Sequence, residues 1–285
     1  MSDTGFRIGA HVSISGGIPN AVDRQLDLGG NCGQIFVGSP RTWSTSDVES
    51  DADAFRSTTE EADVGPWIVH GTYLINFATP KDDLRAKSLD CVQAELDATS
   101  ALGIDYYTFH PGSHTGAGVE GGIENVADRL SRLDLPDGVT LLLENTAGQG
   151  TSLGKTFEQL DRMVRLSDHG YDDLGVCLDS CHLYAAGYDF TTEAGIDGMV
   201  AELDDDLGRS KVEYLHLNDS KHPLGSEKDE HEHVGEGEIG SGGFRRLINH
   251  DAFRDLPMVL ETPEDEGENG KGYAWNVQRC RELRA

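Results

Sequence analysis

Eight short apolar runs recur along the chain, and seven of them close on a histidine or an acid. FRIGAH ends at His11, PWIVH at His70, YYTFH at His110, TLLLE at Glu144, GVCLD at Asp179, VEYLH at His216 and PMVLE at Glu261. The remaining run, CGQIFV (32–37), is followed by Arg41. Short apolar runs bounded by turn residues predict buried strands. Their ends fall about 25 to 45 residues apart, which leaves room for one helix in each gap. Helical periodicity fills those gaps. One helix is predicted over 81–102, with Leu89, Val92 and Leu96 on one face, and others near 19–29, 120–133, 155–168, 193–207 and 243–254. Eight strand–helix units predict a single domain over 1–285, folded as a (β/α)8 TIM barrel of the α/β class. A doubly wound open sheet is the alternative. Charged or imidazole groups after nearly every strand favour the closed barrel, because they then converge on its C-terminal mouth.

Composition narrows the class. No stretch approaches the roughly 18 consecutive apolar residues of a membrane span. The start, MSDTGFRIGAHVS, lacks the basic flank and apolar core of a signal peptide. Five cysteines, an odd number at irregular spacing, point to reduced thiols and a cytoplasmic protein. Cys177-x-x-x-Cys181 reads better as core than as a metal pair, since Cys177 falls inside a predicted strand. The expected state is a monomer without membrane contact. Fifty-one acids oppose 23 bases, giving −28, with the acids spread through helical stretches such as 47–63 and loops such as 261–269. A diffuse acidic, lysine-poor surface predicts a halophilic protein that works in concentrated salt. Docking of a basic partner would instead concentrate the acids in one patch.

A charged or imidazole side chain at the mouth of a buried strand costs several kcal/mol unless it is paired or metal-bound. Here six such residues stand in register: His70, His110, Glu144, Asp179, His216 and Glu261. Two pieces join them. His182 follows Asp179 by three residues in LDSCH, and Asp229-x-His231 lies in the long segment 218–240. His169, His222, His233 and His250 read as structural. Five imidazoles and four carboxylates suit Zn, Mn or Fe rather than Ca or Mg. Nine donors exceed what one ion with an open position uses, and fit two or three ions bridged by a carboxylate. Such clusters clamp the oxygens of a phosphoryl displacement. The residues alone therefore predict a multi-metal hydrolase on a barrel. The rival is a sugar isomerase or epimerase of the xylose-isomerase-like barrel class, which uses one or two ions. His182 and the Asp229/His231 pair discriminate against it. A non-catalytic metal-binding protein is a third reading.

At these residues the sequence closely resembles the endonuclease IV family of abasic-site DNA repair enzymes. The matching segments are GAHVSISGG (9–17), HGTYLINFA (70–78), FHPGSH (109–114), LENTAGQG (143–150), CLDSCHLYAAGYD (177–189), HLNDSK (216–221), DEHEHVGEGEIG (229–240) and LETP (260–263). The resemblance implies three zinc ions, with Mn as an alternative occupant. The first would take His70, His110 and Glu144. Glu144 would bridge to the second, completed by Asp179, His216 and Glu261, and the third would take His182, Asp229 and His231. Glu144, Glu261 and His110 would serve catalysis directly. The implied reaction is hydrolysis of the phosphodiester 5′ to an abasic site in double-stranded DNA. Its products are a 3′-hydroxyl and a 5′-deoxyribose phosphate. His11 and His114 match positions outside the metal shell that orient ligands or phosphate. Tyr73 and Leu74 resemble the family's wedge, and Arg41 its inserted arginine. The sequence departs from the family at Val37-Gly38-Ser39-Pro40, where basic or amide residues are common, and at Glu230, which stands between two ligands.

Overall fold

The computed structural model describes residues 5–264 and 270–285. Eight parallel strands close into a barrel: β1 (Ile8–His11), β2 (Gly33–Ile35), β3 (Trp67–His70), β4 (Tyr106–Phe109), β5 (Thr140–Glu144), β6 (Leu174–Asp179), β7 (Val212–His216) and, after a small ribbon of β8 (Asp219–Ser220) and β9 (His231–Glu232), β10 (Met258–Leu260). β1 closes the ring by pairing with β10, Ile8 opposite Met258, and with β2 on its other side. The helices between them are α1 (Asn20–Leu28), α2 (Glu49–Ala62), α3 (Asp82–Ala101), α4 (Gly118–Leu130), α5 (Phe157–Arg165), α6 (Ser180–Ala186), α7 (Glu193–Asp206), α8 (Gly240–Asn249) and α9 (Tyr273–Leu283). The expected TIM barrel is the observed fold.

Two cores follow from the two faces of each strand. The larger lies between strands and helices and includes Phe55, Leu96, Leu143, Phe157 and Phe244. The smaller fills the barrel interior with Cys32, Ile68, Leu142, Cys177, Tyr214 and Val259. Side chains two residues apart on a strand share a face. Ile68 therefore shares the inward face with His70, Leu142 with Glu144, Cys177 with Asp179, Tyr214 with His216, and Val259 with Glu261. Each polar residue is the next inward position toward the mouth, so the apolar plug becomes a floor of donors in one step.

Register fixes who neighbours whom on that floor. Asp179 lies opposite His216 across β6 and β7, after an irregularity between Val176 and Cys177. His216 lies opposite Val259, which sets Glu261 just above it. Among the described residues, no helix is long and apolar enough to cross a membrane.

Candidate metal centre

Glu144 stands at the middle of the floor, fully buried at the end of β5. Its Oε1 lies 3.1 Å from His110 Nε2 and 3.2 Å from His216 Nδ1, and its Oε2 lies 3.3 Å from His70 Nε2. Asp179 is held from two directions. Its Oδ1 accepts the His182 backbone N–H at 2.8 Å, capping α6, and its Oδ2 accepts from Asn218 Nδ2. Asn218 Oδ1 in turn accepts the Glu261 N–H at 2.8 Å, which ties β7 to the residue after β10. On the ribbon side, Asp229 Oδ1 lies 3.1 Å from His182 Nε2 and 3.2 Å from His231 Nε2.

Three donor groups result, each with its ligand atoms within 4.8 Å of one another: His70, His110 and Glu144; Glu144, Asp179, His216 and Glu261; and His182, Asp229 and His231. The structure thus brings together all nine residues singled out in the sequence, with Glu144 common to two groups. Cys177 and Cys181 also approach donors of these groups. Burial pushes their thiols up to about 11 and about 12.

The imidazoles are oriented from behind. His70 Nδ1 lies 2.7 Å from Gly71 O, His182 Nδ1 2.9 Å from Asn145 O, and His231 Nδ1 3.1 Å from Glu261 O. An N–H donated to each carbonyl leaves Nε2 as the free base aimed into the cluster. His216 is reversed: Nε2 lies 2.8 Å from Gln34 Oε1, which leaves Nδ1 facing Glu144. A ring N–H anchored on an oxygen, with the other nitrogen free, is the usual arrangement of a metal-ligating histidine. Two buried atoms of the cluster, Glu144 Oε2 and His231 Nε2, have no hydrogen-bond partner. Buried polar atoms are seldom left so. A cation accepting lone pairs at these points would satisfy both, so the donor set fits divalent ions of the zinc or manganese type.

Without ions the cluster is held by charge. Burial alone would raise the Glu144 carboxyl, but His216 and His110 hold it well below the usual carboxylate range. Glu261 is likewise lowered against burial by His216 and His11, and Asp229 by His182 and His231. Burial would lower the histidines, yet Asp179 and Asp229 raise His182 well above its ordinary value, and Asp229 and Asp179 raise His231 to about 9. Ions and protons therefore compete for the same lone pairs.

Gln34 is the residue that sequence reading missed. It is buried on β2, and its Nε2 donates to Glu261 Oε1 and lies 2.8 Å from His11 Nδ1. The signal was present: a lone amide inside the apolar run CGQIFV. His11 packs beside the cluster, with Nδ1 3.7 Å from Glu261 Oε1. His114 stands apart; its Nδ1 accepts the N–H groups of Gly116 and Gly118 at the start of α4. The other histidines read as structural have local partners: His169 Nε2 is 3.1 Å from Leu133 O, and His233 Nδ1 accepts from Asn276.

Above the floor, Tyr73 is 63% exposed and separates two clefts. One, of about 470 Å³, is lined by His11, Phe36, Glu261 and Tyr273. The other, of about 450 Å³, is lined by Trp43, Leu74, His110 and Asp229. The loop carrying Tyr73 and Leu74 is latched to the Arg41 loop: Thr72 Oγ1 and the Tyr73 N–H both donate to Pro40 O, at 2.8 and 3.2 Å. Arg41 is exposed.

Comparison with known proteins agrees with this geometry. Residues 22–283 match the family model described as a xylose isomerase-like TIM barrel. The chain is 54% identical over 281 residues to the probable endonuclease 4 of Halobacterium salinarum, covering 98% of this chain and 100% of that protein. The crystal structure of endonuclease IV from Thermus thermophilus superposes with a TM-score of 0.84 at 35% identity, covering 97% of this chain and 98% of that one. A D-tagatose 3-epimerase-like protein superposes at 0.71 with 18% identity, which is a likeness of fold alone. Full-length identity at this level, over a barrel whose mouth gathers the three donor groups, places the chain in the endonuclease IV family.

Proposed function

We propose that this chain is a zinc-dependent abasic-site endonuclease that cuts the phosphodiester 5′ to the lesion, leaving a 3′-hydroxyl and a 5′-deoxyribose phosphate. The observation that carries the reading is the convergence of three donor groups around the shared carboxylate of Glu144, in a chain 54% identical to a probable endonuclease 4. In this reading His70, His110 and Glu144 hold one ion. Glu144, Asp179, His216 and Glu261 hold a second, and His182, Asp229 and His231 a third, with Mn able to replace Zn. Bound ions would supply Lewis-acid stabilisation of phosphoryl charge and acidify the attacking water.

The chain's own residues do the rest. Gln34, Asn145 and Asn218 fix the donors before substrate arrives, so little reorganisation is needed during the reaction. Tyr73 and Leu74 serve as an apolar wedge at the lesion, where the missing base lowers the cost of unstacking, and Arg41 enters beside them. His11, which lines the cleft next to Glu261, would orient phosphate in this reading. The reading also makes residues 1–285 one catalytic domain, acting as a cytoplasmic monomer on double-stranded DNA.

The third donor group weighs against a sugar isomerase, which has no use for it. The test is incubation of the purified protein with duplex DNA carrying a single tetrahydrofuran abasic analogue, in parallel with a panel of ketoses. A single nick with a 3′-hydroxyl is expected, with the ketoses unchanged. Epimerised sugar and intact DNA would overturn the reading.

A further inference from the structure

The segment HVGEGEIG (233–240) belongs to no donor group, yet it follows His231 directly. Its backbone converges on one side chain. Asp219, on β8, is fully buried. Its Oδ1 accepts the N–H groups of Ser220 at 2.8 Å and Ile239 at 2.9 Å. Its Oδ2 accepts those of Gly235 at 2.9 Å, Gly237 at 3.1 Å and Gly240 at 3.2 Å. Burial raises its carboxyl from the ordinary value, and every one of these partners is a donor that works against that rise. Ile239 and Gly240 begin α8, so the same charge also meets the positive end of that helix.

The knot sits directly behind the third donor group. β8 pairs antiparallel with β9, with Ser220 opposite His231 and Asp219 opposite Glu232. The Glu238 N–H donates to Ser220 O at 2.8 Å, and the Lys221 N–H to Glu230 O at 3.1 Å. His231 therefore rides on a ribbon of two residues per strand, with Asp229 just before it, and that ribbon is too short to hold its shape alone. Close packing explains the glycines. A Cβ on Gly237 would lie 2.4 Å from Ser220 O and 2.6 Å from Asp219 Oδ1, and Gly235 has φ +84°.

We infer that Asp219 is a positioning residue for the third ion: its carboxylate gathers the 235–240 backbone and thereby sets Asp229 and His231 at the distance from His182 that a shared ion requires. The inference rests on the three-ion reading above. Asp219→Asn tests it without changing side-chain volume, because an amide must turn its NH2 toward either two or three of the five backbone donors.

Two measurements on the full-length holoprotein decide the matter. The first is zinc release to a competing chelator. The variant should hold one zinc equivalent about 10–100-fold more weakly, the range typical when an outer partner of a ligand is lost, while the ions at Glu144 leave at the parental rate. The second is amide hydrogen exchange. Protection should collapse at Gly235, Gly237, Ile239 and Gly240 but persist in β4 and β5. Unchanged release with unchanged protection would overturn the inference, and so would equal weakening of all ions, which marks a general structural role. If Asp219→Asn does not fold, Gly237→Ala strains the same knot from the other side at unaltered charge, and the same two outcomes apply. A parent that binds no third zinc defeats the three-ion reading. Exchange at the four amides, together with the side-chain separation of His182 from Asp229 and His231 by NMR, then still decides whether Asp219 sets that group.

Discussion

Gln34 connects two donors that lie far apart in the chain, because its amide reaches His216 Nε2 through its oxygen and Glu261 Oε1 through its nitrogen. Truncation to Ala leaves both without that partner in a closed pocket. The expected result of Gln34→Ala is a loss of about 10–100-fold in affinity for the ion at Asp179, His216 and Glu261, with the fold retained; competition with a chelator measures it. Glu261→Gln acts on the donor itself. Incision of abasic duplex should fall by at least about 10²-fold, the scale on which single stabilising groups of an active site act, while circular dichroism and duplex binding stay near parental. Near-normal turnover would remove Glu261 from the reactive group. At this scale the sequence was highly legible. A histidine or acid ending a buried strand is costly unless it has a purpose, and that reasoning reaches the six strand-end members of the candidate groups, whereas His182 and the Asp229/His231 pair were reached through their spacing. Gln34 escaped it because a neutral amide inside a strand carries a smaller cost and draws less notice.

The elements were legible where their signal is local. Seven of the eight barrel strands fall within the apolar runs, β6 begins one residue before its run, at Leu174, and the helix expected over 81–102 spans Asp82–Ala101. Departures have long-range causes. The helix expected at 243–254 runs Gly240–Asn249, since Asp219, some twenty residues upstream, accepts the N–H groups that start it. The ribbon of β8 and β9 has two residues per strand, too few for an alternating pattern. The loop after β3 shows how one element supports another. Glu95, buried on α3, accepts from Tyr107 Oη at 2.8 Å and from the Thr72 backbone, beneath Tyr73. Burial pushes its carboxyl up to about 7 from 4.5. The folded state then binds a proton that the unfolded chain releases, so the stability this proton contributes is full below pH 4.5 and is lost as pH rises through 7. Glu95→Gln should remove that loss. Its melting temperature relative to the parent should rise between pH 5 and 8, by an amount on the order of 2–3 kcal/mol in stability. A parent that instead gains on the variant over that range would contradict the burial argument. Tyr73→Ala combined with Leu74→Ala should weaken binding to abasic duplex by at least about tenfold while zinc content is unchanged, since the loop touches DNA in the proposed function and contributes no donor. Equal binding and cutting would make both residues packing.

For the whole molecule the governing quantity is the charge of −28. Most cations are spent internally, as in the pairs Arg7–Asp63, Arg85–Asp82 and Arg209–Asp204. Arg41, Lys81, Lys87, Lys221, Lys228 and Arg245 are exposed and form no ion pair among the described residues, and four of them, Arg41, Lys81, Lys221 and Lys228, lie in segments between elements that follow β2, β3 and β7. A few local cations cannot offset the net repulsion of DNA at low ionic strength. At about 1 M salt the Debye length shrinks to about 3 Å, which removes both that repulsion and the self-repulsion of the fold. Melting temperature and incision rate should therefore rise with KCl across the range from about 0.1 to 3 M, limits chosen to span weak to strong screening. Ordinary DNA-binding proteins behave oppositely, losing affinity with a log–log slope of about −0.9 per neutralised phosphate. An optimum near 0.1 M in both would refute the halophilic reading.

The closure of the ring by β1 and β10 bears on when this chain becomes dangerous to DNA. The donors come from the ends of six strands, from α6 and from the ribbon segment, and the last, Glu261, follows the strand that pairs with the first. A ribosome-bound or partly proteolysed chain that lacks β10 has neither Glu261 nor the carbonyl that orients His231. In the proposed function the catalytic set is therefore assembled by the same event that completes the fold, and an unfinished copy is an unarmed nuclease.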